Sequence, residues 1–420
     1  MTVFDTLHEE CGVFGIFETK TTDVSHTTYL ALYALQHRGQ ESCGIVVNDD
    51  GVFSHLKGHG LVHEVFSEEH LRGLGKGNMA IGHVRYSTTG GRDLSNVQPL
   101  VIRHIKGNMA LAHNGNLVNA DEIRRSFELS GGIFHGSSDT ESIAYAIAAN
   151  RLKSKSTEEA VLRTMGSLRG AYSCIVMTAT KLIAFRDPNG FRPLSLGKTP
   201  DGAYVVASES CAFDSVGATL VRDIRPGEVV VITRGGVQSL DANCGKPEDS
   251  SICVFEYIYF ARSDSVLDGA SVHHARIRAG EFLAREHPVD ADIVIGVPDS
   301  GLDAAMGYAK ESGIPYGIGF VKNRYIGRSF IEPSQEQRED AVRIKLNAIR
   351  ENITGKRVIM IDDSIVRGTT CARIVELLRE AGAKEVHMRV SSPPFKHACH
   401  FGTDVDSGDR LIANQYESVE

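Results

Sequence analysis

A chain of 420 residues has room for two domains, or three, each with its own core. Its composition, 42% apolar and 23% charged, is that of an ordinary globular protein, and a formal net charge of −8 argues against nucleic acid or an anionic membrane as the main partner. No apolar run approaches the ~20 residues of a membrane span, and the opening MTVFDTLHEE carries three acids and no basic residue, the opposite of a secretory signal.

Taken from the N-terminus, residues 1–10 lack the pattern of a structural element, and at Cys11 the chain turns into an apolar strand, CGVFGIF. Strand-like runs follow at Gly44–Val47, Met79–Val84, Met109–Ala112, Ser173–Thr178, Lys181–Phe185 and Tyr204–Ala207. Helical patterns lie between them at Thr27–Gln36, Ala120–Leu129, Thr140–Asn150 and Thr157–Leu168. Runs of strands broken by grouped helices predict layered sheets with helices outside.

Four polar clusters sit at the ends of these strands: Leu35–Glu41 (LQHRGQE), Gly82–Thr88 (GHVRYST), Ala112–Leu117 (AHNGNL) and Ser137–Glu141 (SSDTE). Each suits an amino-acid ligand. Arg85 can grip an α-carboxylate bidentately, and Asp139 can accept from an α-ammonium. Asn114 followed by Gly115 offers an amide side chain and an unhindered backbone N–H, the parts of an oxyanion hole. Taken singly, each cluster has a blander reading: Asn-Gly is a common hairpin turn, and Asp139 could cap the helix after it.

The stretch Arg234–Ser251, RGGVQSLDANCGKPEDSS, is polar and rich in turn formers, and the domain boundary is placed there. Beyond it strand and helix alternate: Asp292–Val297, Leu302–Ser312, Tyr316–Val321, Arg357–Ile361, Thr370–Ala381 and Glu385–Val390. That alternation predicts a parallel sheet with crossover helices. Val297–Gly301, VPDSG, lies at one strand end; Val321–Gln337, VKNRYIGRSFIEPSQEQ, is long, basic and glycine-containing, and reads as a mobile lid with Lys322 and Arg324 as anion contacts.

The stretch Val358–Thr370, VIMIDDSIVRGTT, organises this half. An apolar strand runs into Asp362 and Asp363, then Ser364, Arg367, Gly368, Thr369 and Thr370 lead into the helical pattern CARIVELLREAG. In open parallel sheets ligands bind where strand ends meet helix starts. The hydroxyls and backbone N–H groups suit a phosphate, helped by the helix dipole. The paired acids suit sugar hydroxyls or a Mg²⁺ carried in on a pyrophosphate. A Walker A loop is excluded, because before Gly197-Lys198-Thr199 the first glycine of that motif is replaced by Arg192.

Val358–Thr370 resembles the phosphoribosyl-pyrophosphate (PRPP) signature of type I phosphoribosyltransferases. The four polar clusters behind CGVFGIF resemble the class II glutamine amidotransferases, whose domain has the N-terminal-nucleophile fold. The resemblances imply an α+β (αββα) glutaminase domain over 11–240 and an α/β parallel-sheet type I phosphoribosyltransferase domain over 241–420, with 1–10 a propeptide. They imply Cys11 as nucleophile, Asn114 and Gly115 as oxyanion hole, and Arg85 and Asp139 as glutamine ligands. For PRPP they imply Asp299, Ser300, Lys322, Arg324, Asp362, Asp363, Ser364, Arg367, Gly368, Thr369 and Thr370. Ser300, Asp362 and Asp363 would lie at the Mg²⁺.

The combination implies that glutamine-derived ammonia displaces pyrophosphate from PRPP to give 5-phosphoribosylamine, the first committed step of purine synthesis. It also implies a homotetramer or homodimer with purine nucleotides as feedback inhibitors. The rival readings are a non-enzymatic PRPP sensor and a relative with one dead site. In the class II family the cysteine is residue one of the mature chain, so cleavage of the Glu10–Cys11 bond is implied.

Eight cysteines are scattered without a C-x-x-C pair, which predicts reduced thiols in the cytoplasm. Relatives with a propeptide often hold a [4Fe–4S] cluster, and by that resemblance Cys253 and Cys399 match the first two ligands. The other two would come from a C-x-x-C that this chain, ending LIANQYESVE, does not contain. The expectation is a cluster in a longer form and none here.

Overall fold

The computed structural model describes residues 11–86, 93–246, 250–323, 346–403, 405 and 411–416. Up to Leu240 the described strands are β1 (Gly12–Thr22), β2 (Ser42–Asp49), β3 (Val52–His59), β4 (Gly77–Arg85), β5 (Leu100–His104), β6 (Gly107–Leu117), β7 (Gly170–Thr178), β8 (Leu182–Arg186), β9 (Ser195–Lys198), β10 (Tyr204–Ala207), β11 (Thr219–Asp223), β12 (Val229–Thr233) and β13 (Gly236–Leu240). They form two antiparallel sheets, ordered β11-β9-β10-β1-β4-β2-β3 and β13-β12-β8-β7-β6-β5.

Side-chain alternation decides how the sheets stack. Val13, Phe17, Met79 and Ile81 of the first sheet meet Ala110, Ala112, Ile175 and Met177 of the second in one buried cluster. The intervening residues face outward. Phe14, Ile16, Ile45 and Val47 pack under α1 (Val24–Ala34), α2 (Val62–Val65) and α3 (Glu68–Leu74). Met109, Leu111, Cys174 and Val176 pack under α5 (Asp139–Lys153) and α6 (Thr157–Met165), beside α4 (Ala120–Glu128). A last short helix, α7 (Cys211–Ser215), joins the α1 layer. The order is helix, sheet, sheet, helix, as expected. Each large aliphatic side chain sealed in these layers contributes about 1.5–3 kcal/mol.

Helix starts follow capping chemistry. Asp23 accepts from His26 N–H at 3.2 Å at the start of α1, and Ser156 accepts from Glu159 N–H at 3.3 Å at the start of α6.

The polar stretch at the expected domain boundary is partly structured. β13 lies inside it and pairs with β12 from Val229↔Leu240 to Thr233↔Gly236. Gly236 takes φ +107°, so the glycines that look like linker are there to make a hairpin turn.

After that hairpin a π-helical turn spans Glu256–Phe260. A small ladder of β14 (Val266–Leu267) and β15 (Ala270–Ser271) leads into α8 (Val272–Glu286). Then come β16 (Ile293–Gly296), α9 (Gly301–Ser312), β17 (Phe320–Lys322), β18 (Leu346–Ala348), α10 (Arg350–Ile353), β19 (Arg357–Asp362), α11 (Thr369–Glu380) and β20 (Glu385–Val390). Strands β16, β19 and β20 form a parallel sheet with β19 central. Val358 and Met360 pack toward Ile374 and Leu378 of α11, whereas Ile359 and Ile361 pack toward Ala304, Ala305 and Tyr308 of α9. A strand buried on both faces explains the unbroken apolar run.

The strand expected over Tyr316–Val321 is mostly an extended segment. It makes a single parallel bridge, Tyr316 to Val294, and only Phe320–Lys322 joins a ladder, antiparallel with β18. Gly317 and Gly319 let this segment press on β16, since a Cβ there would lie 2.5 Å from Ile293 Cδ1 and 2.4 Å from Ile295 Cδ1.

Candidate active sites at two strand ends

The first site forms where β1, β4 and β6 end. Val13 faces the gap between the sheets, so Cys11, two residues earlier, faces it too. By the same alternation Arg85 follows Ile81 on β4, and Asn114 follows Ala112 on β6. All three are buried, Asn114 completely. The Cys11 thiol lies 3.5 Å from the Tyr86 carbonyl, beside Arg85. The two sheets are tied at this end by His83, whose Nε2 lies 3.0 Å from the His113 carbonyl. Burial pushes His83 down to about 3, so it is a neutral tether.

Asn114 is the most telling residue here. Among the described residues, neither its Oδ1 nor its Nδ2 has a hydrogen-bond partner, although both are buried. A fully buried orphan amide is costly, about 1–3 kcal/mol per unmade bond, and calls for a ligand. Gly115 follows at φ +134°, and a Cβ there would sit 2.1 Å from Ala171 O, so no other residue fits.

Asp139 opens α5 with Oδ2 accepting from Leu117 N–H at 2.9 Å and Oδ1 3.6 Å from His113 Nδ1. Burial pushes its carboxyl up, but His113 and the Leu117 and Thr140 N–H groups outweigh this and hold it below the usual value. It is therefore an anion at neutral pH, as an ammonium partner must be.

The second site forms at the C-terminal ends of β16 and β19. Asp362 closes β19, and its Oδ1 accepts from Asp363 N–H at 2.9 Å. Asp363 accepts from the Ser300 hydroxyl and, at 2.5 Å, from the Ser364 hydroxyl. Burial raises both carboxyls, and for Asp362 the Asp363 charge adds to it. Two adjacent buried acids of this kind fit a hard cation with oxygen ligands. They supply two carboxylates and a hydroxyl, so further ligands would come from the substrate. Asp299 pairs with Lys322 at 2.5 Å, which brings together two residues predicted separately. Gly368 caps α11 at φ +87°, with Thr369 and Thr370 in the helix's first turn and Arg367 half-buried beside them. Arg324 and most of the expected lid lie outside the described residues, as do residues 1–10.

Cys253 and Cys399 both pack against one apolar cluster that contains Phe255, Phe260 and Leu411. Two thiols are half of a four-thiolate set. No group of three or more His, Cys, Asp or Glu that could hold a metal ion occurs among the described residues. The described residues do not by themselves fit a [4Fe–4S] cluster.

Sequence reasoning missed the layer that joins the sites. Arg38, Glu209 and Glu256 are fully buried charges, with both acids paired to Arg38. The signal available was LQHRGQE, singled out as a cluster without a role for its arginine.

The model for a glutamine amidotransferase domain matches residues 83–215, and that for a phosphoribosyl transferase domain matches 270–398. The amidophosphoribosyltransferase of Bacillus subtilis (strain 168) is 51% identical over 99% of this chain and 85% of its own length. That of Methanocaldococcus jannaschii is 47% identical over 98% of this chain and 89% of its own. Among solved structures, glutamine PRPP amidotransferase from B. subtilis complexed with ADP and GMP superposes with a TM-score of 0.88 at 50% identity, covering 97% of this chain and 87% of that one. A glutamine amidotransferase domain and a phosphoribosyl transferase domain on one chain, with identity of this extent across both, place the protein: it belongs to the amidophosphoribosyltransferase family.

Proposed function

We propose that Cys11, as the N-terminal residue of a mature chain, attacks the side-chain amide of glutamine. Its α-amine takes the thiol proton, since an amine with a pKa of ~7.7–8.0 is a competent base near neutrality and an amide nitrogen is not. Asn114 Nδ2 and Gly115 N–H hold the developing oxyanion, while Arg85 and Asp139 hold the α-carboxylate and α-ammonium. The C–N bond breaks, the proton leaves with ammonia, and water cleaves the thioester to give glutamate. The buried orphan amide of Asn114, facing the same gap as Cys11, carries this reading.

In the second site ammonia attacks C1 of PRPP and pyrophosphate leaves, giving 5-phosphoribosylamine. Asp299, Ser300, Lys322, Arg324 and Ser364–Thr370 bind the sugar phosphate and pyrophosphate. Ser300, Asp362 and Asp363 would hold a Mg²⁺, which when bound supplies positive charge beside the departing pyrophosphate. The domains are 11–240 and 241–420. No disulfide joins the eight cysteines among the described residues, which suits a reducing cytoplasm. The nucleotides in the B. subtilis structure support ADP and GMP as candidate feedback ligands here, in a homotetramer or homodimer.

The test is the intact mass of active enzyme. Loss of residues 1–10 is expected. Full glutamine-dependent activity from chains that still begin at Met1 would overturn the α-amine as base.

A further inference from the structure

The glutaminase nucleophile is held from outside its own layers. The Arg38 guanidinium donates through Nε to the Cys11 carbonyl at 3.0 Å. Its other nitrogens reach two carboxylates, Glu209 Oε1 at 2.6 Å and Glu256 at 2.9 Å through both oxygens. Arg192 closes the group, 3.3 Å from Glu256 Oε1. Arg38, Arg192, Glu209 and Glu256 are all fully buried. Two positive and two negative charges balance, as buried charges must.

Glu256 is the first residue of the π-helical turn, beyond both sandwich sheets. π-turns are rare and recur at functional positions. The far side of this turn is gripped by Arg276 of α8, which donates to Tyr257 O at 2.7 Å and Ala261 O at 2.8 Å. Arg276 also donates to Ser263 Oγ at 3.1 Å, and Ser263 donates to Asp303 in the first turn of α9 at 2.5 Å. That helix starts at Ser300, the partner of Asp363. An unbroken run of contacts thus joins the residue bearing the thiol to the helix that begins at the PRPP acids. Arg38 also sits one residue before Gly39, where a Cβ would lie 2.6 Å from Arg85 N, so the same turn presses on the glutamine-binding strand end.

We infer that Glu256, acting through Arg38, is a positioning residue for the Cys11 nucleophile, contributed from the phosphoribosyltransferase side of the chain. The bidentate Glu256–Arg38 pair fixes the guanidinium plane, and the guanidinium fixes the Cys11 carbonyl. That sets where the thiol and α-amine of the same residue point. A nucleophile held in this way is worth rate rather than affinity, because the substrate's α-groups are assigned to Arg85 and Asp139 and to neither of these residues. This inference rests on Cys11 being the nucleophile.

The test uses four variants of the full-length enzyme, with thermal melts alongside. Arg38→Lys keeps the charge but loses the fixed fork, and Glu256→Gln keeps the shape but loses the bidentate acceptor. Both are expected to lower kcat with glutamine about tenfold or more, with KM for glutamine changed by less than about twofold. Synthesis with ammonia as nitrogen donor should be unchanged in both. Arg192→Lys disturbs the same buried group without touching Cys11 and should keep glutamine kcat within about twofold of the parent. If Glu256→Gln does not fold, Arg38→Lys alone decides. Folded Arg38→Lys enzyme with parental glutamine kcat would overturn the inference. So would parallel loss of the ammonia reaction, or an equal loss in Arg192→Lys. Cys11→Ser is the separate control: glutamine use surviving that change would sink the nucleophile assignment itself.

Discussion

Replacing Asn114 with alanine separates catalysis from stability more cleanly than any other change in the first site. The side chain is fully buried, yet it makes no hydrogen bond among the described residues. Truncation therefore relieves two unmet polar atoms, each worth about 1–3 kcal/mol, while the lost packing costs about 2–3 kcal/mol. The gain matches or exceeds the loss, so the melting temperature should not fall by more than a few degrees, at about 2–4 °C per kcal/mol for domains of this size. Catalysis does not share that compensation. Removing one oxyanion donor costs about 10²–10³ in kcat, or about 2.7–4 kcal/mol of transition-state stabilisation. The assay is glutamate release from glutamine under saturating PRPP, beside a thermal melt. Ammonia-dependent synthesis should be unaffected. A melt lowered by more than about 10 °C with glutamine kcat intact would refute the reasoning and make Asn114 a packing residue.

Two further outcomes follow from the same geometry. Cys11→Ser should abolish glutamine use and leave ammonia-dependent synthesis at high pH; loss of both would mean that Cys11 has another role. Asp362→Asn should abolish synthesis from either nitrogen donor and yet stabilise the protein at pH 8. Burial and the Asp363 charge raise the Asp362 carboxyl well above its unfolded value. Between those two values the folded state binds more protons, so stability falls as pH rises through that window, and a neutral amide removes the loss. Asn keeps the Oδ1 that accepts from Asp363 N–H. A melting temperature at pH 8 below that of the parent would contradict the assignment.

What the sequence disclosed and what it hid divide along a physical line. The parallel half was legible because β19 is a single apolar run buried on both faces, followed at once by acids and a glycine cap. The sandwich strands were harder. β3, VFSHLKGH, is a half-exposed edge carrying His and Lys, and β9 and β10 have only four residues each. β13 lies in the stretch that reads as a domain boundary, because its glycines serve a turn. Candidate site residues that are neighbours in the chain, such as Asn114-Gly115 or Asp362-Asp363, stand out as local motifs. The pairing of Arg38 with Glu256 spans 218 positions and leaves no local trace. Only folding brings those charges together, and only their shared burial shows that they matter.

Coupling of the two sites is read by measuring glutamate and pyrophosphate together, as both are released from glutamine and PRPP with Mg²⁺ present. Equal amounts of both are expected, a ratio of about one throughout the time course, with synthesis lost when Asp362 and Asp363 are both changed to Asn. Glutamate release without matching pyrophosphate, or pyrophosphate release that ignores glutamine, would contradict it.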